Sequence, residues 1–132
     1  MEIAFERLKP EVVFHAAAFK HVPMGESNPI EMLKNNVIGT KNVVKLAIKY
    51  KIKSLTFIST DKAVDPCNIM GASKRIGEMI IRAAATEAKI SISAVRFGNV
   101  LDSAGSVLPL FEEQIAMGGP VTITHSDVER YF

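Results

Sequence analysis

Leu55-Thr56-Phe57-Ile58-Ser59-Thr60-Asp61-Lys62 is the stretch on which the fold turns. Four residues of apolar, β-branched or aromatic character run straight into four polar ones, with no proline or glycine to interrupt them. Such a run suits a short strand buried on both faces, whose exit delivers polar side chains to one rim of a sheet. Past a loop containing Pro66, a helix is expected from about Ile69 to Ala88, with Ile76, Ile80, Ala83 and Ala84 sharing one side.

Working outward, Val12-Val13-Phe14-His15-Ala16 and Ile92 to Phe97 read as two further strands. Between the first and second, Asn28-Pro29-Ile30-Glu31 reads as a helix start. Asn28 would cap, Pro29 suits the first turn, and Glu31 could reach back to the cap. Ile30, Leu33, Val37, Val44 and Ile48 would then form one buried stripe. The order strand-helix-strand-helix-strand implies an α/β fold with a parallel sheet and two right-handed crossovers. Ligands of such sheets collect at the carboxyl ends of the strands. There the sequence puts His15 to His21, Ser59 to Lys62, and Arg96 to Asn99. The region after Asn99 reads as a loop, a short helix and an extended tail.

Composition bounds the rest. The 132 residues suffice for one compact domain, and 48% hydrophobic with 23% charged residues is globular rather than disordered. Sixteen basic against 14 acidic residues leave a net charge of +2, which gives no general pull toward nucleic acid. Lys41, Lys45 and Lys49 recur every fourth residue and read as a solvated helix face, because no aromatic residues interleave with them for stacking. The lone Cys67 has no partner and no metal-ligand spacing around it, so a reducing, cytoplasmic setting is expected and no metal. No apolar run reaches the roughly 18 residues of a membrane span, and the first residues lack the pattern of a signal peptide.

The richest constellation is Ser59-Thr60-Asp61-Lys62 followed by Met70-Gly71-Ala72-Ser73-Lys74. Met70 and Lys74 are four apart on the expected helix and share a face. On spacing alone, a surface loop with a charge pair explains these residues equally well.

Taken in order, several segments resemble the extended short-chain dehydrogenase/reductases, in particular the nucleotide-sugar 4,6-dehydratases of bacterial polysaccharide biosynthesis. The segments are His15 to Pro23, Asn35 to Thr40, Ser59 to Ala63, Met70 to Arg75, Val95 to Val100, Gly105 to Phe111 and Gly118 to Thr122. The resemblance implies a partial Rossmann-type sheet over residues 1–100, lacking the glycine-rich first βα unit, and the start of a substrate-binding region over 101–132. The chain is therefore expected to be an internal fragment. Two departures stand out. Met70 occupies the place where the superfamily usually carries tyrosine, and a thioether cannot carry a proton. No glycine-rich turn precedes Val12, so NAD or NADP would bind weakly.

The resemblance further implies a redox-neutral dehydration of a UDP-N-acetylhexosamine to a 4-keto-6-deoxy sugar. Thr60, Asp61, Lys62, Met70 and Lys74 would form the catalytic group. Thr60 would hold the carbon-4 oxygen, Asp61 would be the acid with a raised pKa, and Lys62 the base with a pKa depressed by burial and by Lys74. His15, Ala16, Ala17, Ser59 and Lys74 would lie along the cofactor, and Lys20, His21, Asn99, Ser106, Pro109 and Phe111 along the UDP-sugar. A 4-epimerase and a non-catalytic binding or assembly fragment are the alternatives. A homo-oligomer is expected from uncovered sheet edges, and any membrane anchor would belong to a missing N-terminal region of the parent.

Overall fold

The computed structural model describes residues 1–100, 107–123, 127 and 129. The chain divides into two compact units, Met1–Arg96 and Phe97–Phe132. In the first, helix α1 (Glu2–Leu8) precedes strand β1 (Val12–His15), and α2 (Val22–Ser27) leads to α3 (Pro29–Leu33). A π-helical turn (Lys34–Ile38) joins α3 to α4 (Gly39–Lys49). Strand β2 (Ser54–Thr60), a 3-10 turn (Asp61–Ala63), α5 (Ile69–Glu87) and β3 (Ser91–Phe97) follow. The second unit contains α6 (Val107–Ala116).

The three strands lie side by side in the order β1-β2-β3 in a parallel sheet of Rossmann type. Val13 pairs with Leu55 and His15 with Phe57. These side chains, with Ser59, point to the layer formed by α4 and α5. The core there is Phe5, Val43, Val44, Ala47, Ile52, Leu55, Phe57 and Ile81.

Burial on both faces, as expected from the apolar runs, does not occur. β2 alternates between fully and partly buried residues, and on the opposite face Val12 is 49% and Phe14 71% exposed. The reason is topological. Both crossovers advance in the same direction across the sheet and lay their helices on one side, leaving the other uncovered.

The helix surfaces also differ from expectation. Asn28 makes no capping bond; its amide donates to the Met24 carbonyl (3.3 Å), and Glu31 pairs with Lys34 (2.8 Å). Ile30 and Ile48 are exposed, and the buried positions are Met32, Asn36, Thr40, Val43, Val44 and Ala47. Residues spaced by four drift around an ordinary α-helix, but the wider π turn at Lys34–Ile38 absorbs that drift and keeps Met32, Asn36 and Thr40 on one side.

On α5, Asn68 caps the first turn by accepting from the Gly71 amide (2.7 Å). Ile76 and Ala83 are exposed, whereas Met70, Gly71, Ser73, Lys74, Gly77 and Ile81 face inward. Small residues on that stripe let the helix lie close to β2. A Cβ on Gly77 would stand 2.8 Å from the Phe57 ring, and one on Gly71 2.2 Å from the Lys62 carbonyl oxygen.

Candidate active site

β2 ends in a tight polar turn. The Thr60 hydroxyl donates to Asp61 Oδ1 (2.8 Å), and the Lys62 amide (2.9 Å) and Lys62 Nζ (3.0 Å) donate to the same oxygen. Burial raises the Asp61 pKa, but the hydrogen bonds from Lys62 and Thr60 and the charge of Lys62 outweigh it, so the carboxyl sits below its ordinary value. In the free protein, then, Asp61 is shifted opposite to the direction that an acid role requires. The Lys62 side chain is 39% exposed. The burial expected at Lys62 falls on Lys74 instead.

Lys74 attaches to the same strand end. Its Nζ donates to the Ile58 carbonyl (2.7 Å) and stands 4.5 Å from the centre of the Phe57 ring. Burial pulls its pKa from 10.5 down to about 8, with Glu78 partly opposing. Close packing of Gly71 on the Lys62 carbonyl seats the start of α5 against the 3-10 turn. Lys62 and Lys74 therefore belong to one end of one strand. Met70 is buried, beside Gly25 of α2, and its carbonyl accepts from the Ser73 hydroxyl (2.7 Å). Its thioether contributes packing, not proton transfer.

A second network lies under the end of β1. His15 is buried, and its Nε2 is 2.9 Å from Thr40 Oγ1. The Thr40 hydroxyl has one hydrogen and gives it to the Asn36 carbonyl (2.6 Å). The His15 bond must then be donated by Nε2–H, which assigns the tautomer. Burial first, and the Lys74 charge second, lower the His15 pKa and keep the ring neutral at pH 7.

Asn36 joins three elements. Its amide donates to the Phe19 carbonyl (3.0 Å) and to Ser73 Oγ (2.9 Å), and its oxygen accepts from the Phe19 amide (2.8 Å). The segment after β1 is thus clamped to α5, with Ala16 and Ala17 exposed as a shelf of bare methyl groups. Lys20 and His21 are exposed beyond it, and His21 lines a cavity of about 390 Å³ with Phe19, Met24 and Met32.

Ser59, expected along the cofactor, faces the helices, and its hydroxyl donates to Glu78 Oε1 (2.6 Å). Asn99, Pro109 and Phe111 belong to the second unit, where Pro109 and Phe111 are half-buried on or beside α6. Ser106 lies outside the described residues.

Four residues at this site were not singled out as site residues, although two of them lie in the Asn35 to Thr40 segment. Asn36 and Thr40 form a polar pair at helical i,i+4 spacing on a face that should be apolar, which is the mark that could have exposed them. Glu78 lies one turn beyond Lys74. Glu26 of α2 accepts from the Ile69 amide (2.8 Å) and so satisfies the first turn of α5 from across the fold.

Residues 1–132 match the family model described as "Polysaccharide biosynthesis protein". The chain belongs to that family. Among curated members of similar sequence, it is 56% identical over 125 residues to the capsular polysaccharide biosynthesis protein CapD of Staphylococcus aureus, covering 94% of this chain and 21% of that one. It is 44% identical over 124 residues to a UDP-glucose 4-epimerase of Rickettsia canadensis, covering 92% of this chain and 36% of the relative. The chain thus spans about a fifth to a third of the length of these relatives. Among solved structures, Pen from Bacillus thuringiensis is 43% identical with a TM-score of 0.83, over 87% of this chain and 37% of that one. The UDP-glucose 4-epimerase of Thermotoga maritima, solved with UDP-glucose, is 26% identical with a TM-score of 0.86, over 95% and 48%.

Proposed function

We propose that the protein takes part in the NAD(P)-dependent dehydration of a UDP-N-acetylhexosamine to a 4-keto-6-deoxy sugar for glycan biosynthesis. The observation that carries this reading is one hydrogen-bonded turn holding Thr60, Asp61 and Lys62 beside the buried Lys74. Membership of the polysaccharide biosynthesis family and the nucleotide sugars named for its relatives support the substrate class.

The described residues suit the nicotinamide end of a dinucleotide. Ala16 and Ala17 leave backbone open to a flat group, and the Lys74 ammonium is fixed by the Ile58 carbonyl with donors to spare for a ribose. When bound, the dinucleotide supplies hydride acceptance at carbon 4 and hydride return at carbon 6.

The chain's own residues move the protons. Thr60 turns its hydroxyl from Asp61 to the carbon-4 oxygen, and the charge of Lys74 lowers the energy of negative charge developing there. Covering the turn with substrate excludes water and disfavours the charged pair, so a proton crosses the 3.0 Å bond from Lys62 to Asp61. Lys62, now a neutral amine, removes the carbon-5 proton. Asp61, now a carboxylic acid, protonates the carbon-6 hydroxyl, which leaves as water. The proton that the carbon-4 hydroxyl loses with the first hydride goes to solvent. As hydride returns to carbon 6, Lys62 gives its proton back to carbon 5 and is recharged from solvent, so the ion pair is restored and the proton count closes. This cycle reconciles the low Asp61 pKa of the free protein with its role.

A 4-epimerase is the second reading, favoured by the 44% identity to an enzyme of that name. Epimerisation returns hydride to carbon 4 and has no use for an acid-base pair at carbons 5 and 6. Incubating the full-length protein with UDP-N-acetylglucosamine and NAD⁺ separates them by proton NMR. A new carbon-6 methyl signal with a 4-keto product is expected, and a 4-epimer with no methyl signal would reject the dehydratase in favour of the epimerase.

A further inference from the structure

Glu78 sits on α5 with only a tenth of its side chain exposed, and three elements converge on it. Arg96, near the end of β3, donates from Nε to Oε1 (2.7 Å) and from Nη2 to Oε2 (2.7 Å), a two-pronged bond. Ser59, one residue before Thr60 on β2, donates to Oε1 (2.6 Å). Arg75, on the preceding turn of α5, donates to Oε2 (3.2 Å). Bonds of this kind to a carboxylate hold more tightly than neutral ones. They hold the group ionised: the bond from Arg96 is the largest influence, burial opposes it, and the pKa settles at about 2.

We infer that Glu78 is the positioning residue of the site. Its carboxylate ties the carboxyl ends of β2 and β3 to the helix that carries Lys74, and so fixes where Thr60, Asp61 and Lys62 stand relative to Lys74. This deepens the dehydratase reading and rests on it for its catalytic consequence. Rearrangement is hard to absorb at this point, because the Phe57 ring already fills the space over Gly77 between Lys74 and Glu78. The Glu78 charge also acts on Lys74 through space and partly offsets the effect of its burial. The charged or titratable groups facing Lys74 are His15 from β1 and Glu78 from its own helix, with Arg75 and Arg96 held on Glu78.

The test compares wild type with Glu78→Gln and Ser59→Ala in the full-length protein. Two readouts are taken: turnover of UDP-N-acetylglucosamine, and the titration midpoint of the Lys74 side chain by carbon-13 NMR. Glu78→Gln is expected to lower kcat about tenfold or more with KM within about threefold. It should also move the Lys74 midpoint down, by about half a pH unit or more, because an opposing negative charge is gone. Ser59→Ala, which cuts only the tie to β2, should lower kcat less and leave the Lys74 midpoint in place. A merely structural residue would lower the melting temperature and the active fraction without moving that midpoint. A Glu78→Gln protein with wild-type kcat and an unmoved midpoint overturns the inference. If Glu78→Gln does not fold, an unchanged kcat in Ser59→Ala overturns it. If wild type turns over no nucleotide sugar, the functional reading fails, and the Lys74 midpoint alone still decides whether Glu78 governs that lysine.

Discussion

Asn36 and Ser73, 37 residues apart in sequence, meet at 2.9 Å in the interior between the π turn and α5. Through this bond the shelf after β1 and the helix bearing Lys74 form one rigid platform. Replacing Asn36 with alanine would strip the Phe19 amide and carbonyl of their partner and the Ser73 hydroxyl, which keeps its bond to the Met70 carbonyl, of the one it accepts. The expected loss of stability is about 2–4 kcal/mol, read by urea denaturation. A loss under about 0.5 kcal/mol would show that the platform is held some other way.

Three glycines in helical segments make a graded series. Gly71→Ala places a methyl against the Lys62 backbone and should be the most damaging, because backbone cannot swing aside. Gly77→Ala meets the Phe57 ring and should cost about 1–3 kcal/mol. Gly39→Ala meets nothing within 4 Å and should stabilise by up to about 1 kcal/mol through helix propensity. Melting temperatures of the three variants give the order directly.

These glycines also show where the sequence was readable and where it was not. Strand order, the crossover helices and the polar strand exits were legible, because long apolar runs bounded by polar turns leave few other folds. The inward faces of the helices were read only in part: Val44 is in the core and Ile80 and Ala84 pack against it, but Ile30, Ile48, Ile76 and Ala83 are exposed. Periodicity arguments follow apolar residues, and the buried stripes in this fold run through Asn36, Thr40, Ser73, Lys74 and Gly77. Close approach and hydrogen bonding, not hydropathy, selected them. The polar turn after β2 was legible as a motif, but its clamps through Glu78 and Asn36 join residues far apart in the chain and leave no local pattern.

The His15 assignment is open to nitrogen-15 NMR. At pH 7 the ring should be neutral, protonated at Nε2 and bare at Nδ1. Its pKa is below 6.5, so the folded state binds fewer protons than the unfolded one on the acid side of neutrality. The stability from a neutral His15 is complete above about pH 6.5 and declines as pH falls. A neutral ring protonated at Nδ1 and bare at Nε2 would contradict the Thr40–Asn36 arrangement, and a ring charged at pH 7 would contradict the effect of burial and Lys74.

Glu78 predicts a second acid-sensitive window. Its pKa is about 2 when folded against 4.5 when free, so its stabilising contribution is present above pH 4.5 and is lost as pH falls toward 2. Removing the charge with Glu78→Gln should erase that part of the pH dependence, worth on the order of 2 kcal/mol. Lys74 behaves in the opposite sense from an ordinary paired lysine. Its folded pKa of about 8 lies below 10.5, so the penalty for burying its charge applies below pH 8 and is relieved as pH rises from there toward 10.5. Lys74→Met should abolish this alkaline rise in stability, as measured by denaturation across that range.

Solvent-exchange labelling at sugar carbon 5 is the most direct probe of the turn after β2. In deuterated water, the full-length protein with NAD⁺ and UDP-N-acetylglucosamine should place deuterium at carbon 5, and Lys62→Met should slow that labelling by about a hundredfold or more while nucleotide-sugar binding stays within about threefold. Labelling by Lys62→Met at the wild-type rate would mean that some other group takes the proton, and that Asp61 and Lys62 are not the acid-base pair of the reaction.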